Sequence, residues 1–328
     1  MRRRDFIKLL GGAAAAWPLI ARAQQLAMPV IGFLSSVSPD LYSDRLRTFR
    51  QGLKEEGYVE GQNVEIEYRS AEGQNDRLPT LAADLVRRQV AVLVAAGGTP
   101  SALAAKAATA TVPIVFAVAT DPIEVGFVVS LNRPGGNMTG VTNMNVDTGS
   151  KRLELLHELL PTATVFGALV DPSSVTVSED FLRVLQTAAR AFGLEARVHY
   201  ASTEHDLDTV FAALDQQRVG GLVISPGVFF NRRSEQLATL ALRHAIPTIY
   251  QYRAFAAAGG LASYGTDETE YYYLVGLYAG RILKGERPDN LPVQQSTKVE
   301  LIINLKTAKA LGITVPLPLL GRADEVIE

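Results

Sequence analysis

Hydrophobic positions along this chain follow two alternating rhythms. The runs "PVIGFLS", "VAVLVAAG" and "PIVFAVA" are almost wholly apolar, the pattern of strands buried on both faces, while "VEIEYRS" alternates as a half-buried strand does. Between them apolar side chains return every three or four residues: Tyr42, Leu46, Phe49 and Leu53, then Leu78, Leu81 and Leu85, then a small-residue stretch from Pro100 to Ala110. These spacings predict helices, the first stopped by Gly57. Strand, helix, strand, helix in this order predicts a parallel sheet covered by helices on both faces.

The rhythm then begins again. Leu153, Leu156 and Leu160 mark a helix, "VFGALVD" a strand, and Phe181, Leu185, Ala188 and Phe192 a helix. "EARVHYA", Leu207 to Leu214, "GLVISPG", Leu237 to Ala241 and "PTIYQY" complete a second set. No sequence repeat accompanies the repeated pattern. The expected fold class is therefore α/β, with two doubly wound parallel-sheet lobes meeting near Gly140–Gly149. The remaining elements, "GLASYGTD", a helix over Glu268 to Lys284, "KVELIINL" and a short helix over Lys306 to Leu311, are too few to close a third lobe. They are expected to return to the first two, giving an N-terminal lobe of 28–142 plus 263–292, a C-terminal lobe of 143–262 plus 293–328, and a three-segment hinge.

The strands share an ending. Ser38-Pro39, Thr99-Pro100, Asp121-Pro122, Asp171-Pro172 and Ser225-Pro226 each follow an apolar run. One reading is local: the side-chain oxygen caps a helix and proline takes its first position. The other follows from the fold class. Strand C-termini of a parallel sheet share one edge, where helix N-termini present free N–H groups, so two facing lobes would place two such edges across one cleft. On that reading Thr120 and Asp121 line the cleft. Thr99-Pro100-Ser101, preceded by Gly97-Gly98, suits a carboxylate. Asp121 is expected to hold an amine, as a ligand residue first and a turn former second, with Asp171 or Asp267 as the alternatives. Tyr250 and Tyr252, at another strand end, serve either as a wall of that cleft or as core. The tyrosines of "EYYYLVGLYAG" are expected to pack on a helix face.

Composition, 47% hydrophobic and 20% charged over 328 residues, is that of a globular protein. The first residues stand apart. "MRRRDFIKLLGGAAAAWPLIARAQQ" has a basic start, an apolar stretch too short to span a bilayer, and Ala21-Arg22-Ala23, a cleavage-site pattern. Residues 1–23 are thus expected to be an export signal, and Arg3-Arg4-Asp5-Phe6-Ile7-Lys8 resembles the twin-arginine type. Losing them takes five of 32 basic and one of 34 acidic side chains, leaving 27 against 33 and a net charge of −6. Such a chain has no broad attraction for nucleic acid or anionic lipid. With no cysteine it has neither disulfides nor a lipid-anchor site, so the mature protein is expected to be soluble and periplasmic. A monomer is expected. His157, His199, His205 and His244 lack metal-ligand spacing, and no phosphate loop, dinucleotide fingerprint or nucleophile elbow occurs. Neither cofactor, metal nor catalytic residue is expected.

Several stretches together carry a family resemblance: "VPIVFAVATDPIEVGFVVSLNRPGGNMTGV", "GLKEEGYVEGQNVEIEYRSAEG", "RILKGERPDNLPV" and "INLKTAKALGITVP". Over nearly the whole mature length the chain resembles periplasmic solute-binding components of ABC transporters, in the branch of the tryptophan-binding-like proteins. The resemblance implies a type I periplasmic-binding fold that closes on an amino acid or similar small carboxylate and docks on a membrane permease. Carried over by position, Ser35, Ser36, Thr99, Ser101, Thr120, Asp121, Asp171, Ser173 and Ser174 would touch ligand, with Gly227, Tyr250 and Asp267 as further candidates. The apolar Gly227-Val228-Phe229 stands where the branch commonly has a polar residue. Two other functions share this architecture: an exported enzyme working in the same cleft, and a ligand-sensing subunit of a membrane receptor.

Overall fold

The computed structural model describes residues 28–37, 43–143, 145–296 and 298–328. The expected export signal and Ser38-Pro39 lie outside the described residues.

The strands are β1 (Val30–Ser35), β2 (Glu65–Ser70), β3 (Val92–Ala96), β4 (Ile114–Val118), β5 (Met138–Thr142), β6 (Val165–Val170), β7 (Glu195–Tyr200), β8 (Gly221–Ile224), β9 (Thr248–Tyr250), β10 (Ala262–Thr266), β11 (Gln294–Gln295), β12 (Val299–Asn304) and β13 (Glu325–Ile327). They form two sheets, in the orders β11-β5-β4-β3-β1-β2 and β13-β12-β10-β9-β8-β6-β7. The first is parallel throughout, and the second has one antiparallel pair, β10 with β12. The apolar runs become strands because both faces are covered: β3 and β4 are buried at every position. The alternating "EIEYRS" forms β2, an edge strand.

The helices are α1 (Ser43–Glu55), α2 (Leu78–Arg87), α3 (Thr99–Ala108), α4 (Gly149–Leu159), α5 (Val175–Phe192), α6 (Glu204–Gln216), α7 (Val228–Asn231), α8 (Ser234–Arg243), α9 (Arg253–Ala257), α10 (Glu268–Leu283), α11 (Leu305–Ala310) and α12 (Leu317–Leu320). Of these, α10 returns from the second lobe to pack on α1, backbone against backbone. A Cβ on Gly52 would stand 2.1 Å from the Tyr273 carbonyl oxygen, and one on Gly276 would stand 2.1 Å from that of Phe49. Only glycine permits this approach, and it brings the first turn of α10 to the cleft.

The chain passes between lobes three times: after β5, between β10 and α10, and between β11 and β12. The residue ranges expected for the lobes differ from this at the later passages. Strand β10 belongs to the second sheet and β11 to the first, so the boundaries fall near Asp267 and 296–298 rather than at 263 and 293. The passages are tied in a row. Thr266 donates its N–H to Asn145 Oδ1 at 3.2 Å and its hydroxyl to the Asn143 carbonyl at 2.9 Å. Asp267 N–H bonds the Lys298 carbonyl at 3.1 Å, and Ser296 N–H bonds that of Thr142 at 2.8 Å.

Candidate functional site

Between the facing edges of the two sheets lies a cleft with three connected spaces. The inner chamber, of ≈ 70 Å³, is bounded by Gly97-Gly98-Thr99 and Tyr271-Tyr272 from one lobe and by Ser174, Gly227 and Tyr252 from the other. Through Arg45, Asn231 and Glu268 it continues outward into a space of ≈ 370 Å³. Through Ser174 and Val228 it continues sideways into one of ≈ 320 Å³, which Asp171, Ser173, Arg232 and Arg233 help to line.

One wall is the start of α3. Gly98 takes φ +106°, a left-handed conformation, so that the chain turns sharply from β3 into the helix with no side chain capping it. The amides of that first turn stay available to an anion. Thr99 Oγ1 pairs with Thr120 Oγ1 at 3.1 Å, and Thr142 donates to the Thr120 carbonyl at 3.1 Å. Ser101, in the same turn, is buried and its hydroxyl has no partner.

The aromatic wall comes from α10 and the end of β9. Tyr271 donates its hydroxyl to the Val118 carbonyl at 3.0 Å, which fixes its ring at the chamber edge. Burial pushes the Tyr252 phenol up to about 12, with Glu268 adding to the effect and Arg45 and the Asn145 and Asn143 amides opposing it. It is therefore a neutral hydroxyl at physiological pH. Glu268 pairs with Arg45 at 2.5 Å, so this carboxylate is already balanced.

The sequence candidates separate clearly. Thr99, Ser174 and Gly227 line the inner chamber, Asp171 and Ser173 the side space, and Asp267 the outer one. Asp267 is committed elsewhere: its carboxylate accepts from Thr269 N–H at 2.8 Å and pairs with Lys298 at 2.6 Å. Asp121 is absent from the lining of all three spaces. Its Oδ1 accepts from Ile123 N–H at 2.7 Å and holds the turn after β4. Ser36 is buried and gives its hydroxyl to the Gly97 carbonyl at 2.6 Å, supporting the glycine turn from behind. Ser35 bonds Val37 in its own turn. Tyr250 is core, fully buried and stacked on Phe255 at 4.7 Å. The local capping reading fails at Thr99, Asp171 and Ser225: α3, α5 and α7 begin without a side-chain cap. At Asp121 no helix follows, only a turn.

Asp171 differs from the other carboxylates. It is 3% exposed, and among the described residues it is the sole acidic side chain buried to this degree. Its Oδ1 accepts from Ser173 N–H at 2.9 Å and Ser173 Oγ at 2.7 Å. Its Oδ2 has no hydrogen-bond partner, and no cation pairs with it, among the described residues. Gly227 leaves the way open: a Cβ there would stand 3.9 Å from Oδ2. Arg45, Asn143, Asn231, Glu268, Tyr271 and Tyr272 also line the chamber. Sequence reasoning passed them over because they stand on helix faces and in crossings, away from strand-end motifs. Among the described residues no group of His, Cys, Asp and Glu could hold a metal ion, and no helix is long and apolar enough to cross a membrane.

Two sheet edges facing a cleft at a three-strand hinge is the arrangement of type I periplasmic-binding proteins, and the sequence agrees with it. Residues 30–327 match the family described as ABC transporter substrate binding protein. The chain belongs to that family. A tyrosine-binding protein of Clostridioides difficile is 29% identical over 266 residues, 81% of this chain and 75% of that protein. Among solved structures, the domain of a Streptococcus pneumonia ABC protein in complex with L-Trp has TM-score 0.80 at 28% identity, covering 92% of this chain and 100% of that one. A Clostridium difficile substrate-binding protein in its ligand-free, open structure has TM-score 0.67 at 26% identity, covering 91% and 99%.

Proposed function

We propose that this ABC transporter substrate-binding protein is the exported receptor of an importer. It takes up an α-amino acid in the inter-lobe cleft and delivers it to a membrane permease, without catalysing a reaction. The observation that carries this reading is Asp171. This carboxylate is almost wholly covered, has no cation on it and borders the cleft, so it can pair with an ammonium supplied by the ligand. The ligand carboxylate then has the free amides and hydroxyls of the Thr99–Ser101 turn, and its side chain the rings of Tyr252, Tyr271 and Tyr272. The relatives that bind tyrosine and tryptophan support an aromatic amino acid.

The role of residues 1–23 as a twin-arginine-type signal, and with it periplasmic residence, belongs to the same reading, as does a monomeric state. The test is calorimetric titration with L-tyrosine and L-tryptophan, together with small-angle scattering. Binding is expected with a smaller radius of gyration, and ligand at 100 times Kd is expected to add about 2.7 kcal/mol of stability. Saturable binding of a carboxylate that lacks an amine, with none of either amino acid, would overturn it. Changing Arg3 and Arg4 to Lys is expected to leave precursor in the cytoplasm; undiminished export of that variant argues against the twin-arginine route.

A further inference from the structure

Among the described residues only one basic side chain is fully buried, and it lies behind the cleft. Arg152, in the first turn of α4, is 0% exposed and has no carboxylate partner among those residues. Its Nη2 donates to the Asn145 carbonyl at 2.9 Å, and its Nη1 to Thr148 Oγ1 at 3.1 Å and the Tyr264 carbonyl at 3.3 Å. The Phe181 ring lies 5.9 Å from the guanidinium carbon, and Nε has no partner. Burial draws its pKa down to about 10, so it stays cationic at physiological pH.

Those acceptors belong to two separate segments, the first passage between the lobes and the strand that leads into the second. Asn145 and Thr148 lie in the first; Tyr264 lies in β10, two residues before Thr266, which enters the second. The guanidinium fork of Arg152 reaches acceptors on both segments at once. A buried cation without a counter-charge is a poor way to gain stability, since an apolar side chain of similar volume avoids the desolvation cost. The contacts it makes are therefore the more informative feature. Asn145 takes the Thr266 N–H, Asn143 takes the Thr266 hydroxyl, and both asparagines stand beside Tyr252. Asn143 and Tyr252 are chamber walls.

We propose that Arg152 is the positioning residue of the hinge: by joining the first passage to the strand feeding the second, it sets how far the lobes open and holds Asn143 and Tyr252 in the cleft wall. This rests on the reading that the lobes open and close, and the test separates the two. The chain has no cysteine, so Asp76→Cys and Asp208→Cys, both exposed and on different lobes, place one spin label on each. Inter-label distances are measured without ligand in the labelled parent, in Arg152→Met and in Arg152→Gln, which is too short to reach both carbonyls. Both substitutions are expected to broaden the distribution and shift it to longer distance, and Arg152→Lys, which keeps charge and donors, to restore part of the parent width. A variant that melts earlier but keeps the parent distribution assigns Arg152 to packing alone and overturns the proposal. If Arg152→Met does not fold, Arg152→Gln decides by the same criterion. Titrating the labelled parent with L-tyrosine and L-tryptophan tests closure separately, so a ligand-insensitive parent would count against the closing motion rather than against Arg152.

Discussion

Two Asp-Pro turns, one in each lobe, begin almost alike and finish differently. In the first lobe β4 runs into Thr120-Asp121-Pro122; in the second β6 runs into Asp171-Pro172. Both strands are buried and both carboxylates accept a backbone N–H two residues on. Yet Asp121 borders none of the cleft spaces, while Asp171 is buried at the edge of one. The difference lies in what packs over each turn. At Asp171, Ser173 folds its hydroxyl onto Oδ1 and the Ser178 hydroxyl bonds the Asp171 carbonyl at 2.6 Å, holding the turn against α5. Gly227 and α7 then close over it from β8. At Asp121 the chain continues into further turns, and its neighbours Asp147 and Glu124 are like charges. The same dipeptide is thus a turn former in one lobe and a buried, unpaired charge in the other.

Removing each charge in turn separates the two turns most clearly. Asp171→Asn keeps shape and acceptor, and it is expected to weaken amino-acid binding by roughly 2–5 kcal/mol, since the ammonium loses its buried partner. The ligand-free protein is expected to be no less stable, because an uncompensated buried charge has gone. Calorimetry and thermal melting read the two effects separately, and parent-like affinity would end the case for Asp171. Next in size is Gly227→Ala. The Gly227 φ of 177° suits any residue, so the fold is expected to tolerate it. The added methyl narrows the approach to Oδ2, with an expected loss of about 1–3 kcal/mol in binding. Unchanged affinity would place the amine elsewhere.

Thr99→Val probes the opposite wall. It removes a hydroxyl paired with Thr120 but leaves the helix amides, so a loss of about 0.5–1.5 kcal/mol in affinity is expected by titration. The smallest effect belongs to Asp121→Asn. Asparagine forms the same turn, so the melting temperature is expected to move little and the affinity not at all. A large loss of affinity there would reverse the comparison.

Much of the architecture was legible in the residues. The length and apolarity of "VAVLVAAG" and "PIVFAVA" specify strands buried on both faces, and their alternation with helical stripes specifies parallel sheets. That strand ends face a common cleft followed from the same pattern, as did three passages between lobes. Thr99 was reachable because it sits at such an end, and Ser174 and Gly227 through the family resemblance. Arg45, Glu268 and the pair Tyr271-Tyr272 were not, since a helix face reads the same whether it meets core or cleft. Their place depends on α10 returning across the hinge to lie on α1, where Gly52 meets Tyr273 and Gly276 meets Phe49, residues separated by most of the chain. The place of β10 in the second sheet likewise rests on its pairing with β9 on one side and β12 on the other.

What the sequence determined by itself was therefore everything governed by local spacing: the elements, their class, and the edge on which ligand-facing turns collect. The covering and pairing of the site's carboxylates, by contrast, come from the assembled fold. Whether a carboxylate is exposed, paired like Glu268 and Asp267, or buried alone like Asp171 depends on which distant segments cover it. Desolvation and pairing act through space, over a few ångströms, and are blind to position along the chain.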